Sequence, residues 1–323
     1  MSYKIFITRN IPEVGLKMLR EKNIEFDVGK WKTPPSKKDL IKALKDKPYD
    51  GVISFLTDNI DAEIFDACPS AKVFANFSVG FNNIDLEEAQ KRNIAVSNTP
   101  GVAGTAVSEH TVAFMLTMTT RMDEGDRFMR SGKYKGWDAE LLIGTDLKDK
   151  VIGLIGVGDI GTKVAKILHF GFGAKIIYSD IVPNPTLEKI DGATKMETAE
   201  ILKIADIVSL HVPLLPTTHH LINKDSLSTM KKTAYLINTS RGPVVDENAL
   251  VEALKNGVIK GAGLDVYEFE PKLAKGLLKL SNVVLTPHIA SARASCRNLM
   301  AEIVAKNIIS MFEKGVVING VIK

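Results

Sequence analysis

Cysteine is scarce: Cys68 and Cys296 are the only two in 323 residues. They are too few and too far apart for a disulfide framework or a thiolate metal site, so the expectation is two inert thiols in a reducing, cytoplasmic setting and no metal. Long apolar runs are missing as well. The most apolar helix-like stretch, 111–120, falls far below the roughly 18 residues that cross a bilayer, and no membrane association is expected. The opening MSYKIFITRN has neither an apolar signal core nor a small-residue cleavage site. Charge of one sign is nowhere concentrated. The 42 basic and 38 acidic residues are spread along the chain for a net +4, without the basic block of a nucleic-acid-binding arm. The densest run, 30–47, mixes Lys with Asp and reads as the solvated side of a helix and its loop.

What is present is ordinary for a folded protein, with 45% hydrophobic and 25% charged residues. The length is about twice that of a usual domain and predicts two compact units. From residue 3 onward, short β-rich runs alternate with polar-faced helical ones. Strands are predicted over 3–8, 24–28, 51–55, 72–75 and 94–96, with helices over 12–21, 36–45, 62–67 and 86–91. Strands separated by helices of this length imply right-handed crossovers and a parallel, flavodoxin-like α/β sheet.

Around residues 98–101, NTPG, the rhythm breaks, and one long helix is predicted from 103 to about 130. Six further strands follow over 151–155, 175–179, 207–211, 234–238, 261–265 and 283–286, with helices near 160–170, 198–204, 224–230 and 246–255. Six such strands make a doubly wound Rossmann sheet. A last helix over 295–314 is long enough to return to the first unit. The division is therefore 1–99 with 292–323 as a discontinuous substrate-binding domain, and 100–291 as a Rossmann domain.

The run GLIGVGDIG places Gly156, Gly158 and Gly161 after a buried strand and at the start of a helix, which is G-x-G-x-x-G in its proper setting. Gly156 makes the tight turn, Gly158 leaves room for a pyrophosphate, and Gly161 lets helix and strand pack closely. The helix N-terminus, with Asp159 and Ile160 in its first turn, offers free N–H groups to phosphates. Asp159 is expected to point to solvent as a helix cap. The next strand ends at Asp180, where a carboxylate accepts hydrogen bonds from an adenosine ribose and repels a 2'-phosphate. No Arg or Lys follows in IVPNP, so NAD(H) is favoured over NADP(H).

Three more segments carry polar residues at predicted strand ends: NTSRGPVVD (238–246), DVYEFEP (265–271) and TPHIAS (286–291). Singly, Arg241, Glu270 and His288 have dull explanations as a turn residue, a solvated acid and a surface histidine. Together they supply a guanidinium fork for a carboxylate and carbonyl, a titratable imidazole, and a carboxylate that stabilises the imidazolium and fixes which nitrogen faces the substrate.

With these residues in view, the chain resembles the D-2-hydroxyacid dehydrogenase family over nearly its whole length. The motifs GVGDIG, HVPLLPTTHHLIN (211–223), NTSRGPVVDENAL (238–250), GAGLDVYEFEP (261–271) and TPHIAS stand in the family's order. The resemblance implies hydride transfer between NAD(H) and C2 of a small 2-oxo or 2-hydroxy acid, with Arg241, Glu270 and His288 catalytic. It implies that Ser78, Val79 and Gly80 receive the substrate carboxylate through backbone N–H groups, a strand-helix turn being the plainer alternative. It also implies that Thr105, His211, Val212, Pro213, Thr217, Thr239, Asp265, His288 and Ala290 surround the cofactor.

The loop holding Phe55 and Leu56 would line the substrate side, and it has no arginine for a phosphate. Trp137 resembles a tryptophan of the glyoxylate and hydroxypyruvate reductase branch that reaches the partner subunit's pocket, the alternative being core packing. Glyoxylate or hydroxypyruvate is therefore favoured, with 2-ketogluconate or a lactate-type acid left open. Formate dehydrogenases carry glutamine in place of Glu270, whereas phosphite dehydrogenase shares all three catalytic types. A corepressor-like NAD(H) sensor is the alternative from another class. The apolar helix near 103–118 points to a homodimer, or else to burial within the monomer.

Overall fold

The computed structural model describes residues 3–190 and 192–322. The chain forms two compact units, one of residues 1–103 with 292–323 and one of residues 104–291. In the first unit the elements are β1 (Lys4–Ile7), α1 (Glu13–Glu21), β2 (Glu25–Val28), α2 (Lys37–Lys45), β3 (Gly51–Phe55), α3 (Ala62–Ala67), β4 (Val73–Phe77), α4 (Leu86–Lys91) and β5 (Ala95–Ser97). All strands pair in parallel, in the order β2-β1-β3-β4-β5. Ser36, Asp61 and Asp85 cap their helices by accepting from backbone N–H groups one turn ahead, which is why α2, α3 and α4 start where they do. Phe6, Val52 and Phe74 pack with Leu40, Leu44, Ile64 and Phe65 on one face of the sheet. The C-terminal helix, Ala294–Lys314, packs on α1 and β4.

The second unit holds α5 (Gly104–Thr119), α6 (Met122–Arg130), β6 (Val151–Ile155), α7 (Asp159–Phe172), β7 (Lys175–Ser179), β8 (Thr194–Lys195), α8 (Thr198–Ile204), β9 (Ile207–Leu210), α9 (Lys224–Thr229), β10 (Tyr235–Asn238), α10 (Glu247–Lys255), β11 (Gly261–Leu264) and β12 (Val283–Leu285). Its parallel sheet runs β12-β11-β10-β9-β6-β7-β8. Alternate side chains feed opposite faces: Leu154, Ile207 and Ile237 join Phe114, Val164 and Leu168 on one, while Ile155, Val208 and Leu236 join Ile201, Leu227 and Leu250 on the other. The chain leaves β6 toward β7 and β8, then returns to its other side at β9. The turn after β6 thus stands at the switch point of a doubly wound sheet, where such folds bind ligands.

Two expectations need correction. The single helix over 103–130 is two helices, broken at Arg121, whose φ of 56° is left-handed. The hydroxyls of Thr119 and Thr120 turn back to the carbonyls of Met115 and Leu116, and the Thr119 carbonyl accepts from the Thr145 N–H at 2.8 Å instead of extending the helix. The second unit also has a seventh strand, the exposed pair Thr194–Lys195, too short and polar to register as a period-two pattern.

The helix α5, expected either at a subunit interface or buried within the monomer, is largely buried within its own unit, where it packs on α7, β10, β11 and β12. Both cysteines are buried, and burial pushes the Cys68 thiol up to about 11, so it stays protonated and unreactive at neutral pH. No helix among the described residues is long and apolar enough to cross a membrane.

The glycine turn makes a stability prediction. A Cβ on Gly161 would stand 2.4 Å from the Gly156 carbonyl oxygen, whereas one on Gly158 would meet nothing within 4 Å. Gly161→Ala is expected to lower unfolding free energy in urea by about 1–3 kcal/mol, and Gly158→Ala by less than about 1 kcal/mol. Equal midpoints for the two variants would contradict the packing account.

Candidate active site

At the end of β6 the backbone turns on Gly156, whose φ of 88° excludes a side chain and whose Cβ would lie 2.8 Å from the His211 carbonyl carbon. Gly158 is the N-cap of α7 and makes no side-chain cap. Asp159 is therefore not the cap expected from sequence; its carboxylate is half-exposed and pairs with Lys163 one turn on. Ile160 and Gly161 complete the first turn. The free N–H groups there, the positive end of the helix dipole and the open space beside Gly158 suit a pyrophosphate.

Asp180 closes this corner from the end of β7. One carboxylate oxygen accepts from the Val157 N–H at 2.7 Å and the other from the Ile181 N–H at 2.7 Å. Asn184, which sequence reasoning missed, grips the same turn by donating to the Val157 carbonyl at 2.6 Å and to the Thr162 hydroxyl at 2.8 Å. His211 bonds Ser209 at 3.0 Å, and burial pushes its imidazole down to about 4, so it is neutral. Val212 N lies 2.9 Å from the Cβ that Gly156 lacks. Pro213 accepts from the Thr218 hydroxyl, and Thr217 beside it is exposed. Thr105 is exposed on the first turn of α5, and Thr239 is buried, sharing a 2.9 Å hydrogen bond with Thr111.

Past the ends of β10, β11 and β12 stand the three residues singled out for chemistry. His288 donates from Nδ1 to Glu270 Oε2 at 2.9 Å, leaving Nε2 as the other ring nitrogen. Burial works to raise the Glu270 carboxyl, but the His288 hydrogen bond and charge, the Tyr267 N–H and the Arg241 charge outweigh it and hold the group below the usual carboxylate range. The stabilisation from this pair is therefore present above that range and fades as pH falls through the lowered value. Arg241 donates Nη1 to the Ser240 carbonyl at 2.6 Å, and its guanidinium is partly buried beside the Glu270 charge. Its loop is held by Asn238, which accepts from the Ser240 N–H at 3.0 Å and donates to the Arg241 carbonyl at 2.9 Å.

His288 itself has φ 55°, a left-handed conformation that a non-glycine residue adopts only when its surroundings enforce it. The enforcement comes from Asp265. Its carbonyl accepts from the His288 N–H at 2.9 Å, and its buried carboxylate takes bonds from Thr286 Oγ1 at 2.5 Å, the Ile289 N–H at 2.7 Å and the Ala290 N–H at 2.8 Å. His110 of α5, unnoticed in the sequence, bonds Thr286 at 3.1 Å.

Among the described residues, His219, His220 and Glu268 gather donor atoms within 4.8 Å of one another. Both Glu268 oxygens are engaged, one by His220 Nε2 at 2.7 Å and one by the Glu247 N–H at 3.1 Å. The group acts as a latch between the 211–223 and 265–271 segments.

In the first unit, Phe55 ends β3 and Leu56 follows it, and Ser78, Val79 and Gly80 follow β4, with Ser78 buried and Val79 exposed. The loop after β3 has no arginine of its own, yet Arg9 reaches it from the end of β1, donating to Thr57 Oγ1 at 2.5 Å and lying 4.5 Å from the Phe55 ring centre. Nothing in local sequence joins residues so far apart along the chain. Trp137 is 86% exposed, which rules out core packing.

The comparisons with known proteins agree with this architecture. A family model described as the D-isomer specific 2-hydroxyacid dehydrogenase, NAD binding domain, matches residues 112–290. A glyoxylate reductase of Thermofilum pendens is 48% identical over 317 residues, covering 96% of this chain and 91% of that protein. The crystal structure of a Thermus thermophilus protein is similar with a TM-score of 0.92 at 40% identity, over 99% of this chain and 100% of that one. The NADPH-dependent glyoxylate/hydroxypyruvate reductase of Sinorhizobium meliloti, solved with NADP and malonate, gives a TM-score of 0.86 at 31% identity, over 99% and 97%. A family model over more than half of the chain and a relative matching nearly all of it leave one conclusion: the chain belongs to the D-isomer specific 2-hydroxyacid dehydrogenase family of NAD-dependent oxidoreductases.

Proposed function

We propose that this protein reduces glyoxylate or hydroxypyruvate to the corresponding 2-hydroxy acid with NADH, using Arg241, Glu270 and His288. The observation that carries this reading is the 2.9 Å bond between His288 Nδ1 and Glu270, with the Arg241 charge beside it. A nicotinamide held beside these residues would supply the hydride to C2. Arg241 holds the substrate carboxylate and carbonyl oxygen in its planar fork. His288 gives the Nε2 proton to that oxygen as negative charge builds there, and Glu270 keeps the ring turned and its cation stabilised. In the oxidative direction neutral His288 takes the proton back.

The cofactor is received by Gly156, Gly158, Asp159, Ile160 and Gly161 at its phosphates and by Asp180 at the adenosine ribose. Thr105, His211, Val212, Pro213, Thr217, Thr239, Asp265, His288 and Ala290 complete its surroundings. Phe55, Leu56 and the N–H groups of Ser78, Val79 and Gly80 belong to the substrate side. The glyoxylate reductase names of the relatives support the choice of acid. The fixed Asp180 carboxylate supports NADH over NADPH, because a 2'-phosphate would meet a charge that two N–H groups hold in place.

A cytoplasmic location is supported by the two buried free thiols. A homodimer completes the proposal. Its support is no longer α5 but the chain just after it, where Met122 is 63%, Trp137 86% and Ile143 63% exposed. Trp137 would then serve the partner's substrate side. Light scattering is expected to give twice the chain mass, and a monomer at assay concentration would remove this part.

An assay of NADH oxidation over a panel of 2-oxo acids tests the whole reading, and tight NADH binding with silence across the panel would overturn it. His288→Ala is expected to lower kcat by about 10²–10⁴-fold with little change in NADH binding. Glu270→Gln is expected to lower kcat by about 10²-fold with the NADH dissociation constant unchanged, since the His288 ring loses the charged acceptor that orients it. Asp180→Ala is expected to erode the NADH over NADPH ratio of kcat/KM, and an unchanged ratio would refute the ribose assignment.

A further inference from the structure

The sheet of the first unit has its own switch point between β1 and β3. The loops at the carboxyl ends of β3 and β4 are the ones that the proposed function gives to the substrate. Neither loop has a helix or strand of its own to fix it. A pair of asparagine side chains ties them to one another.

Asn83 donates through Nδ2 to the carbonyl of Phe55 at 3.0 Å and to that of Asp58 at 2.9 Å. Its Oδ1 accepts from Asn76 Nδ2 at 3.0 Å, and the same Nδ2 donates to the Gly80 carbonyl at 3.0 Å. Asn76 Oδ1 accepts from the Ser54 hydroxyl at 3.2 Å, and the Asn76 side chain is wholly buried. The pair therefore bridges the 55–58 loop to the 78–80 loop, with every amide group used. A primary amide is the side chain for this task, because it offers two donors and an acceptor without a charge.

Further tethers act on each loop separately. Asp58 takes bonds from Thr8 Oγ1 at 2.5 Å and from the Phe55 N–H at 2.8 Å. Asn98 donates to the Val79 carbonyl at 2.6 Å, and the Thr99 N–H to that of Ser78 at 2.9 Å. The Phe55 and Phe77 rings lie 5.0 Å apart, with Arg9 over Phe55. Of these contacts, the Asn83 bonds to the Phe55 and Asp58 carbonyls are the side-chain link between the two segments, beside the backbone bond from the Ile60 N–H to the Asn83 carbonyl at 2.8 Å, and the Asn76–Asn83 bond holds Asn83 in place to make them.

We propose that Asn83 and Asn76 are positioning residues that clasp the 55–58 and 78–80 loops together and so set the affinity for the 2-oxo acid. The inference rests on the proposed function, which gives those loops to the substrate. The clasp orders the N–H groups of 78–80 before substrate arrives, so that binding does not have to order them. It touches neither the hydride nor the proton. Loosening it therefore weakens the ground state and the transition state alike, and the loss falls on KM rather than on kcat.

Asn83→Asp keeps the shape and the acceptor for Asn76 but removes both donors to the Phe55 and Asp58 carbonyls. The expected result is a rise in KM for glyoxylate of about tenfold, with kcat within about twofold and the NADH dissociation constant unchanged. Ser54→Ala, a milder loss at the same clasp, is expected to raise KM about two- to threefold in the same direction. It serves if the aspartate variant does not fold. Binding of oxamate to the NADH-loaded protein, followed by calorimetry, is expected to weaken in step with KM. A wild-type KM in the variants, or a loss confined to kcat, would overturn the clasp while leaving the proposed function standing. A wild-type protein that neither turns over a 2-oxo acid nor binds oxamate would remove both.

Discussion

The geometry around His288 depends on one buried carboxylate. Asp265 gathers the hydroxyl of Thr286 and the N–H groups of Ile289 and Ala290, while its own carbonyl receives the N–H of His288. Together these bonds impose the left-handed backbone that His288 would not choose. An imidazole on a relaxed loop would sample many directions, and the ordering cost would fall on each catalytic cycle. Here that cost is met once, in folding. Glu270 then has only to meet an imidazole already in position.

Both units apply the same arrangement on different scales. Each has a parallel sheet whose strand order reverses, and in each the residues of interest stand at the carboxyl ends beside the reversal. The means of fixing the loops differ. The second unit uses backbone proximity, with Gly161 against the Gly156 carbonyl and Gly156 against the His211 carbonyl, each too close for a methyl group without a shift. The first uses side-chain amides, through which Asn76 and Asn83 tie the 55–58 loop to the 78–80 loop.

Much of this was legible in the sequence because the signals are local. The strands over 51–55, 151–155 and 175–179 are read from runs of β-formers between turns, and the glycine turn from its spacing after a strand. The segments bearing Arg241, Glu270 and His288 stood out as polar runs at strand ends. What was not legible depends on distance in the chain. Arg9 at Thr57, Asn184 under the glycine turn and His110 at Thr286 are joined by packing, and no local pattern announces them. The break at Arg121 is hidden for another reason: no glycine or proline stands at residues 119–122, and only the capture of the Thr119 carbonyl by Thr145 shows why the helix stops. At Asp159 the sequence suggests a cap where none forms, because an acid at a helix start fits the dipole whether or not it bonds the backbone.

The split of the first unit across the chain has a consequence for synthesis. Residues 104–291 form a complete unit, whereas the sheet of residues 1–103 waits for the helix Ala294–Lys314, which buries Met300, Val304 and Ile308. Segments leave the ribosome in order, at roughly 5–20 residues per second. The cofactor-binding half can therefore close on its own while the amino-terminal half, made first, remains uncovered on one face. In this chain the unit that starts first finishes last, and its apolar underside is the surface most in need of shelter in the interval.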